Sequence, residues 1–437
     1  MTRALPRILR PLRHRDYRLL SVGMLTSLLG DGVFIVALPL QAFAISNRPS
    51  AMAVVGLVWG GSQVSMLLVG GWASDRFERR RIMVVADVVR GAAFVTVAAL
   101  SLSGAIELWH LWILGAVVGT ANAFFNPAVM SIVPDLLPDA DLTQANAFLG
   151  TARPTMQRLL GPALGGLIVA GIGPGGAFAV NAATFMVSAA ALLALRFRPE
   201  RASREQASLR QSFREVAEGF RYVKARTWCW VWLIAQSIGV LAYSGPIDML
   251  LPFIVQNELN LDPAQAARSL GFILAVGGMG SIVASVYVGQ RDLPRRFVTW
   301  MYALEAVGVA MLLVYATMTA AWMGALAALF LNGAFAYVDI AWVTTLQRLV
   351  PRELLGRVSS LDWLTALGLA PLSFVVAGPL ADAFGARSVL AVGAVGGVLV
   401  VLGLFLVPGT REPEEELVAA RARAAGGAAA GGAGDAT

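Results

Sequence analysis

Residues 70–81 read Gly70-Gly71-Trp72-Ala73-Ser74-Asp75-Arg76-Phe77-Glu78-Arg79-Arg80-Arg81. The apolar stretch 52–74 ends here, and another, 82–103, begins almost at once. Each is long enough to cross a hydrocarbon core about 30 Å thick as a helix. The turn between them is short and strongly basic, and a basic hairpin between two crossings belongs on the cytoplasmic side. Gly70 and Gly71 permit close helix approach. Asp75 and the arginines then sit at the inner surface, where charges on neighbouring helices are within reach.

Working outward, the same pattern recurs. Twelve apolar stretches appear, at about 17–44, 52–74, 82–103, 109–133, 146–171, 175–196, 228–255, 267–289, 297–317, 321–346, 358–384 and 387–408. The short alternating segments of a membrane barrel are absent, so an all-α membrane protein of twelve helices is expected. The first stretch is too long for a signal-peptide core and lacks a small-residue cleavage site, so it reads as a retained span. With 57% hydrophobic and 14% charged residues, and a mean hydropathy of +0.69, a soluble enzyme, a disordered chain and a nucleic-acid binder are excluded.

The net charge of +7 comes from where the arginines sit. With the N-terminus inside, 27 of the 34 Lys and Arg fall on the inner side and four within spans; only Arg48, Arg268 and Arg387 fall outside. Both termini are therefore expected in the cytoplasm, in the cell membrane of an organism with a GC-rich genome, since all basic residues but Lys224 are Arg. The charge faces the anionic inner leaflet rather than a nucleic acid. The expected organisation is a cytoplasmic N-terminus (1–16), a six-helix bundle (17–196), a cytoplasmic linker (197–227), a second six-helix bundle (228–408) and a cytoplasmic tail (409–437) with a disordered end. In the linker Leu209, Phe213, Val216, Phe220 and Val223 recur at helical spacing, which predicts an amphipathic helix on the inner membrane face.

The loop 70–81 resembles the signature loop of the major facilitator superfamily, Gly-x-x-x-Asp-Arg-x-Gly-Arg-Arg, with Gly71, Asp75, Arg76, Arg79 and Arg80 in place and Glu78 where the family has its second glycine. In span 5, Gly161, Pro162, Gly165 and Gly166 are similar to a packing motif that, within that superfamily, favours exporters. The entry His14-Arg15-Asp16-Tyr17-Arg18, the segment Leu142-Thr143-Gln144-Ala145-Asn146-Ala147 and Val350-Pro351-Arg352-Glu353-Leu354-Leu355-Gly356-Arg357 resemble the macrolide-efflux and enterobactin-exporter-like family of drug:proton antiporters. The resemblance implies two six-helix bundles, alternating access and proton-driven export of a bulky, partly apolar compound by a monomer, with no cofactor.

The residues themselves supply no other engine. No Gly-x-x-x-x-Gly-Lys-Ser/Thr loop is present. One cysteine, Cys229, and two histidines, His14 and His110, make a metal site or an intrachain disulfide unexpected. The ionisable residues inside spans are functional candidates by default, because an unpaired charge at mid-bilayer costs about 2.5–3.5 kcal/mol on insertion scales. Asp31 lies roughly 20 Å into span 1 at 1.5 Å per residue, near the membrane middle. It is the first candidate for proton coupling, with Glu305 and Asp339 behind it. Arg158 lies at similar depth in span 5, so an Asp31–Arg158 ion pair is the structural alternative. Asp87 and Arg90, and likewise Arg357 and Asp362, are expected to help close the inner gate. Phe34, Gln41, Asn122, Asn126, Arg158 and Asp248 are candidates to line a substrate cavity. The residues leave open an importer or uniporter on the same fold, and a non-transporting sensor or scaffold.

Overall fold

A computed structural model of the chain describes residues 7–196, 218–291 and 293–416. Most of the predicted linker helix, including Leu209, Phe213 and Val216, and the tail end 424–437 lie outside the described residues. Within them the linker's last residues are helical over 218–225, with Val223 buried and Phe220 exposed.

Among the described residues, eleven continuous helices are long and apolar enough to cross a membrane. One of them, Ala140–Leu193, has 54 residues, where a crossing needs about 20. It breaks at Gly173, whose φ of 74° suits glycine, and Pro174 starts the next segment. It is therefore two crossings, and the total is twelve. We label them α1 Arg15–Ile45, α2 Pro49–Arg76, α3 Arg79–Leu102, α4 Leu108–Leu136, α5 139–172, α6 174–193, α7 Thr227–Asn257, α8 Pro263–Gly289, α9 Phe297–Thr317, α10 Ala321–Leu349, α11 and α12 Ala386–Phe405. α11 comprises Arg352–Gly368 and Ala370–Phe384, broken ahead of Pro371.

The short connections carry local stop and start signals. Asp262 caps α8 by accepting from the Gln265 backbone N–H at 2.8 Å, with Pro263 at the first helical position. Gly385, at φ 86°, turns α11 into α12. Arg387 then donates to the Ala316 and Met318 carbonyls at 2.9 Å each and pairs with Glu258. That guanidinium ties the ends of three helices together.

Two six-helix groups result, with matching pairings. α2 packs on α4 and α3 on α6; likewise α8 packs on α10 and α9 on α12. The groups meet mainly through α5 against α8 and α2 against α11. The contacts are made by small residues. A Cβ on Gly166 would lie 3.0 Å from Gly271 Cα, and one on Gly60 would lie 2.9 Å from Pro371. Gly378 faces Ala53 and Ser50, the Ser50 N–H donates to Asp382 at 3.3 Å, and Phe43 meets Phe253 edge-on at 5.3 Å. All of these lie in the half of the molecule away from the arginine-rich loops, here termed the far end. Towards the basic end the facing helices carry polar, exposed residues instead, among them Thr151, Arg153 and Arg158 on α5.

Candidate functional site

Three clusters bring the sequence candidates together. The first is the α2–α3 turn. Phe77 and Glu78 are extended, and Glu78 has φ −60°. Any residue adopts that angle, so the turn needs no glycine where the family has one. Arg79 donates to the Ser131 carbonyl at 3.0 Å and pairs with Asp135 on α4. Arg80 donates to the Leu192 carbonyl at 2.9 Å and to that of Leu193, at the negative end of α6. Arg76 lies over the Trp72 ring at 5.5 Å. The turn thus binds the basic ends of α3, α4 and α6. The close helix approach falls at Gly70, which abuts the Ala123 carbonyl on α4; a Cβ on Gly71 would meet open space.

The second cluster is buried among α1, α3, α4 and α6. Asp87 and Arg90, one turn apart on α3, form an ion pair at 0% and 3% exposure. Arg90 also donates to Asn122 Oδ1 at 2.8 Å and lies between the rings of Phe125 and Phe185, 4.4 and 4.5 Å from their centres. Asp31 faces this pair and hydrogen-bonds with Asn181 on α6. The side chains of Asn181 and Thr184 occupy the space where a Cβ on Gly30 would go. Among the described residues Asp31 makes no ion pair of its own within 4.0 Å. The Asp31–Arg158 pair, the structural alternative for Asp31, is therefore not formed. Asp87 and Arg90 do pair, but in the bundle interior rather than with the arginines of the turn.

Arg158 belongs to the third cluster, between the bundles. It acts electrostatically on Asp248 and Tyr243 of α7 and on Asp339 of α10. Arg158, Asp248 and Asp339 are all exposed. Exposed charges at mid-span face a polar space rather than lipid. Local backbone explains the position of Arg158. Residues Thr155–Leu160 form a π-helical turn, with Pro154 before it and Pro162 after it. Pro162 has no N–H for the Arg158 carbonyl four residues earlier, and Gly278 of α8 packs against that carbonyl. Gly161 meets Gly32 of α1, where a Cβ would lie 2.5 Å from the Gly32 Cα, and Gly165 meets Val33. The four motif residues of span 5 therefore pack this helix on α1 and α8 together.

Other candidates lie elsewhere than expected. Phe34 is 2% exposed among Trp59, Phe94 and Phe178, and Gln41 is buried, accepting from Ser101 at 2.6 Å. Both pack inside the first bundle and line no inter-bundle space. Asn122 is engaged by Arg90, whereas Asn126 is exposed. Arg357 pairs with Glu218 of the linker, and Asp362 accepts from Trp342 Nε1 at 2.9 Å, so these two do not pair with each other. Glu305 is buried in the second bundle. Asn181, Asp135 and Glu218 were not singled out by residue type. For Asn181 and Thr184 the signal was present: two polar residues at i,i+3 in an otherwise apolar span.

The model for the Major Facilitator Superfamily matches residues 20–372. The chain belongs to this superfamily. It is thus a membrane transporter, not an enzyme. Similar proteins include the multidrug efflux pump Tap of Mycolicibacterium fortuitum, 28% identical over 382 residues, covering 84% of this chain and 89% of Tap. The enterobactin exporter EntS of Escherichia coli O1:K1 is 24% identical over 350 residues, covering 80% of this chain and 81% of EntS. Among solved structures, the nucleoside transporter NupG superposes with a TM-score of 0.69 at 13% identity, covering 89% of this chain and 99% of that one. A bacterial homologue of ferroportin in an inward-facing state gives 0.65 at 16%, covering 90% and 98%. At these identities the structures speak for the major facilitator fold alone.

Proposed function

We propose that this transporter exports a bulky, partly hydrophobic small molecule, such as a drug, macrolide or siderophore, in exchange for protons. The basic end is the cytoplasmic one, both termini lie there, and one monomer suffices. Contact at the far ends then corresponds to an inward-facing state, ready to take substrate from the cytoplasm. The direction and compound class are supported by similarity, over 84% and 80% of this chain, to a multidrug efflux pump and an enterobactin exporter.

The observation that carries proton coupling is Asp31. It lies at mid-span beside the buried Asp87–Arg90 ion pair and, among the described residues, has no Arg or Lys within 4.0 Å of its own carboxylate. A carboxylate there without a counter-ion of its own persists if it takes up and releases a proton. Arg158, Asp248, Asp339 and Asn126 line the substrate space between the bundles, while the α2–α3 turn with Asp75 sets the inner gate. A susceptibility panel in a pump-deficient bacterial host tests the reading. Expression of the chain is expected to raise tolerance to at least one macrolide or cationic dye, and Asp31→Asn to remove the gain. Hypersensitivity to none of the panel on deletion, with uptake of a metabolite instead, would favour an importer.

A further inference from the structure

The two bundles differ at one matching place, the turn between their second and third helices. In the first bundle Arg79, Arg80 and Arg81 of that turn all have acceptors within the protein. These are Asp135 and the Ser131 carbonyl of α4, the Leu192 and Leu193 carbonyls of α6, and Glu78. The second bundle's α8–α9 turn, Gly289-Gln290-Arg291-Asp292-Leu293-Pro294-Arg295-Arg296, is also basic, but the counterparts of those acceptors are gone. Pro138 precedes α5 and Pro351 precedes α11. Three residues before these prolines stand Asp135 and Arg348, so an acid has become a base. α12 packs on α9 as α6 packs on α3, yet carbonyls at the end of α12 are taken by the tail. The Thr410 hydroxyl donates to that of Val407 at 2.8 Å and to that of Leu404 at 3.4 Å.

Arg295 and Arg296 are exposed, and among the described residues their side chains make no hydrogen bond or ion pair. Asp292, the one acid of the turn, lies outside the described residues. Glu414 of the tail reaches the start of α9 but is engaged there by Thr299, accepting from its N–H at 2.8 Å and its hydroxyl at 3.1 Å. Arg291 donates to Tyr287 Oη at 2.8 Å and lies 4.4 Å from the centre of that ring, which leaves most of its N–H groups free. Guanidinium groups crowded in this way repel one another unless an anion lies among them. The turn is flanked by two outward aromatic rings, Tyr287 of α8 and Trp300 of α9, 52% and 53% exposed. Each ends an exposed apolar face, Val283 lying one turn from Tyr287 and Val307 two turns from Trp300. Aromatic rings so placed mark the level of lipid headgroups.

We propose that Arg291, Arg295 and Arg296 bind the phosphate of an anionic phospholipid, so that the bilayer supplies the α8–α9 turn with the acceptor that Asp135 supplies to the α2–α3 turn. Guanidinium groups suit this task because their paired N–H groups match phosphate oxygens. Tyr287 and Trp300 favour a lipid over a free phosphate, since they lie where the glycerol and upper acyl chains of a bound lipid would pass. The α2–α3 turn needs no such lipid, because its arginines are already satisfied on α4 and α6. The site goes beyond the exporter reading and does not depend on it, since the basic end meets a leaflet surface in either orientation of the chain.

The test needs no transport substrate. Purified full-length protein is titrated with phosphatidylglycerol or phosphatidylcholine, and bound lipids are counted by native mass spectrometry. Arg295→Gln with Arg296→Gln removes two charges from the turn. Arg421→Gln with Arg423→Gln removes two from the tail and controls for net charge. The wild type is expected to hold one phosphatidylglycerol more tightly than any phosphatidylcholine. At about 1 kcal/mol per arginine, the turn variant should bind that lipid about tenfold or more weakly, and the tail variant should bind it as the wild type does. Trp300→Ala, which keeps every charge, is expected to weaken it as well. No loss in the turn variant, an equal loss in the tail variant, or equal binding of the two lipids overturns the site. Displacement by inorganic phosphate at constant ionic strength, with no effect of Trp300→Ala, would make it a free-anion site and overturn the lipid.

Discussion

The crossing of α5 and α8 makes alternating access sensitive to a single methyl group. In Gly271→Ala the new Cβ would lie 2.6 Å from the Pro162 carbonyl oxygen and 2.8 Å from Gly166 Cα. Both neighbours are backbone, so no side-chain rotation relieves the overlap, and the helices must part by several tenths of an ångström. Overpacking of this kind costs about 1–3 kcal/mol. The cost falls only on the state in which the far ends touch, because the contact opens when the bundles rock apart there. A bias of about 1–3 kcal/mol changes the ratio of two states by about 5- to 150-fold. Spin labels on cysteines replacing Arg48 and Phe384, at the far ends of α2 and α11, report that ratio as a distance distribution, with the buried Cys229 replaced beforehand. Gly271→Ala is expected to move population to the longer distance and to slow transport, with normal amounts of protein in the membrane. An unchanged distribution and unchanged transport would falsify the assignment of this crossing to the far-end gate.

Four further outcomes follow from the clusters. Asp31→Asn should abolish uphill, pH-driven export while sparing downhill exchange, and adding Arg158→Gln should restore nothing, since the two residues belong to different clusters; recovery in that double variant would contradict the geometry. Asp87→Ala leaves Arg90 buried without its carboxylate, a loss of about 3–5 kcal/mol by analogy with other broken buried pairs, so thermal unfolding of the purified protein should begin at clearly lower temperature, and adding Arg90→Met should recover much of the loss. Asp75→Asn should lower turnover without lowering the protein level, measured by efflux per molecule on quantified membranes. Cysteines placed near Thr2 and Thr437 should resist an impermeant maleimide on intact cells and react after permeabilisation; labelling from outside would reverse the topology.

The crossings were legible in the sequence because each needs about 20 apolar residues. Depth was legible too: counting residues placed Asp31 and Arg158 at one level. Rotation about the helix axis was not. Spans that are hydrophobic all round give no amphipathic stripe to orient them, so Phe34 and Gln41 were equally open to cavity and core. The π-helical turn at Thr155–Leu160 inserts one extra residue, about 100° of rotation at 3.6 residues per turn, and Arg158 lies within it. Glu78 illustrates the opposite limit. It stands where the family pattern has a glycine, yet φ at that position makes no demand for glycine.

The central claim is exchange of an organic compound for protons through Asp31. It is tested most directly in proteoliposomes loaded with a pH-sensitive dye, with no imposed gradient, by adding a compound to which the susceptibility panel shows resistance. The account predicts a compound-dependent pH change inside the vesicles in the wild type and none with Asp31→Asn, while labelled compound still exchanges in both. Proton movement of wild-type size in Asp31→Asn, or compound flux in the wild type with no proton movement at all, would contradict it.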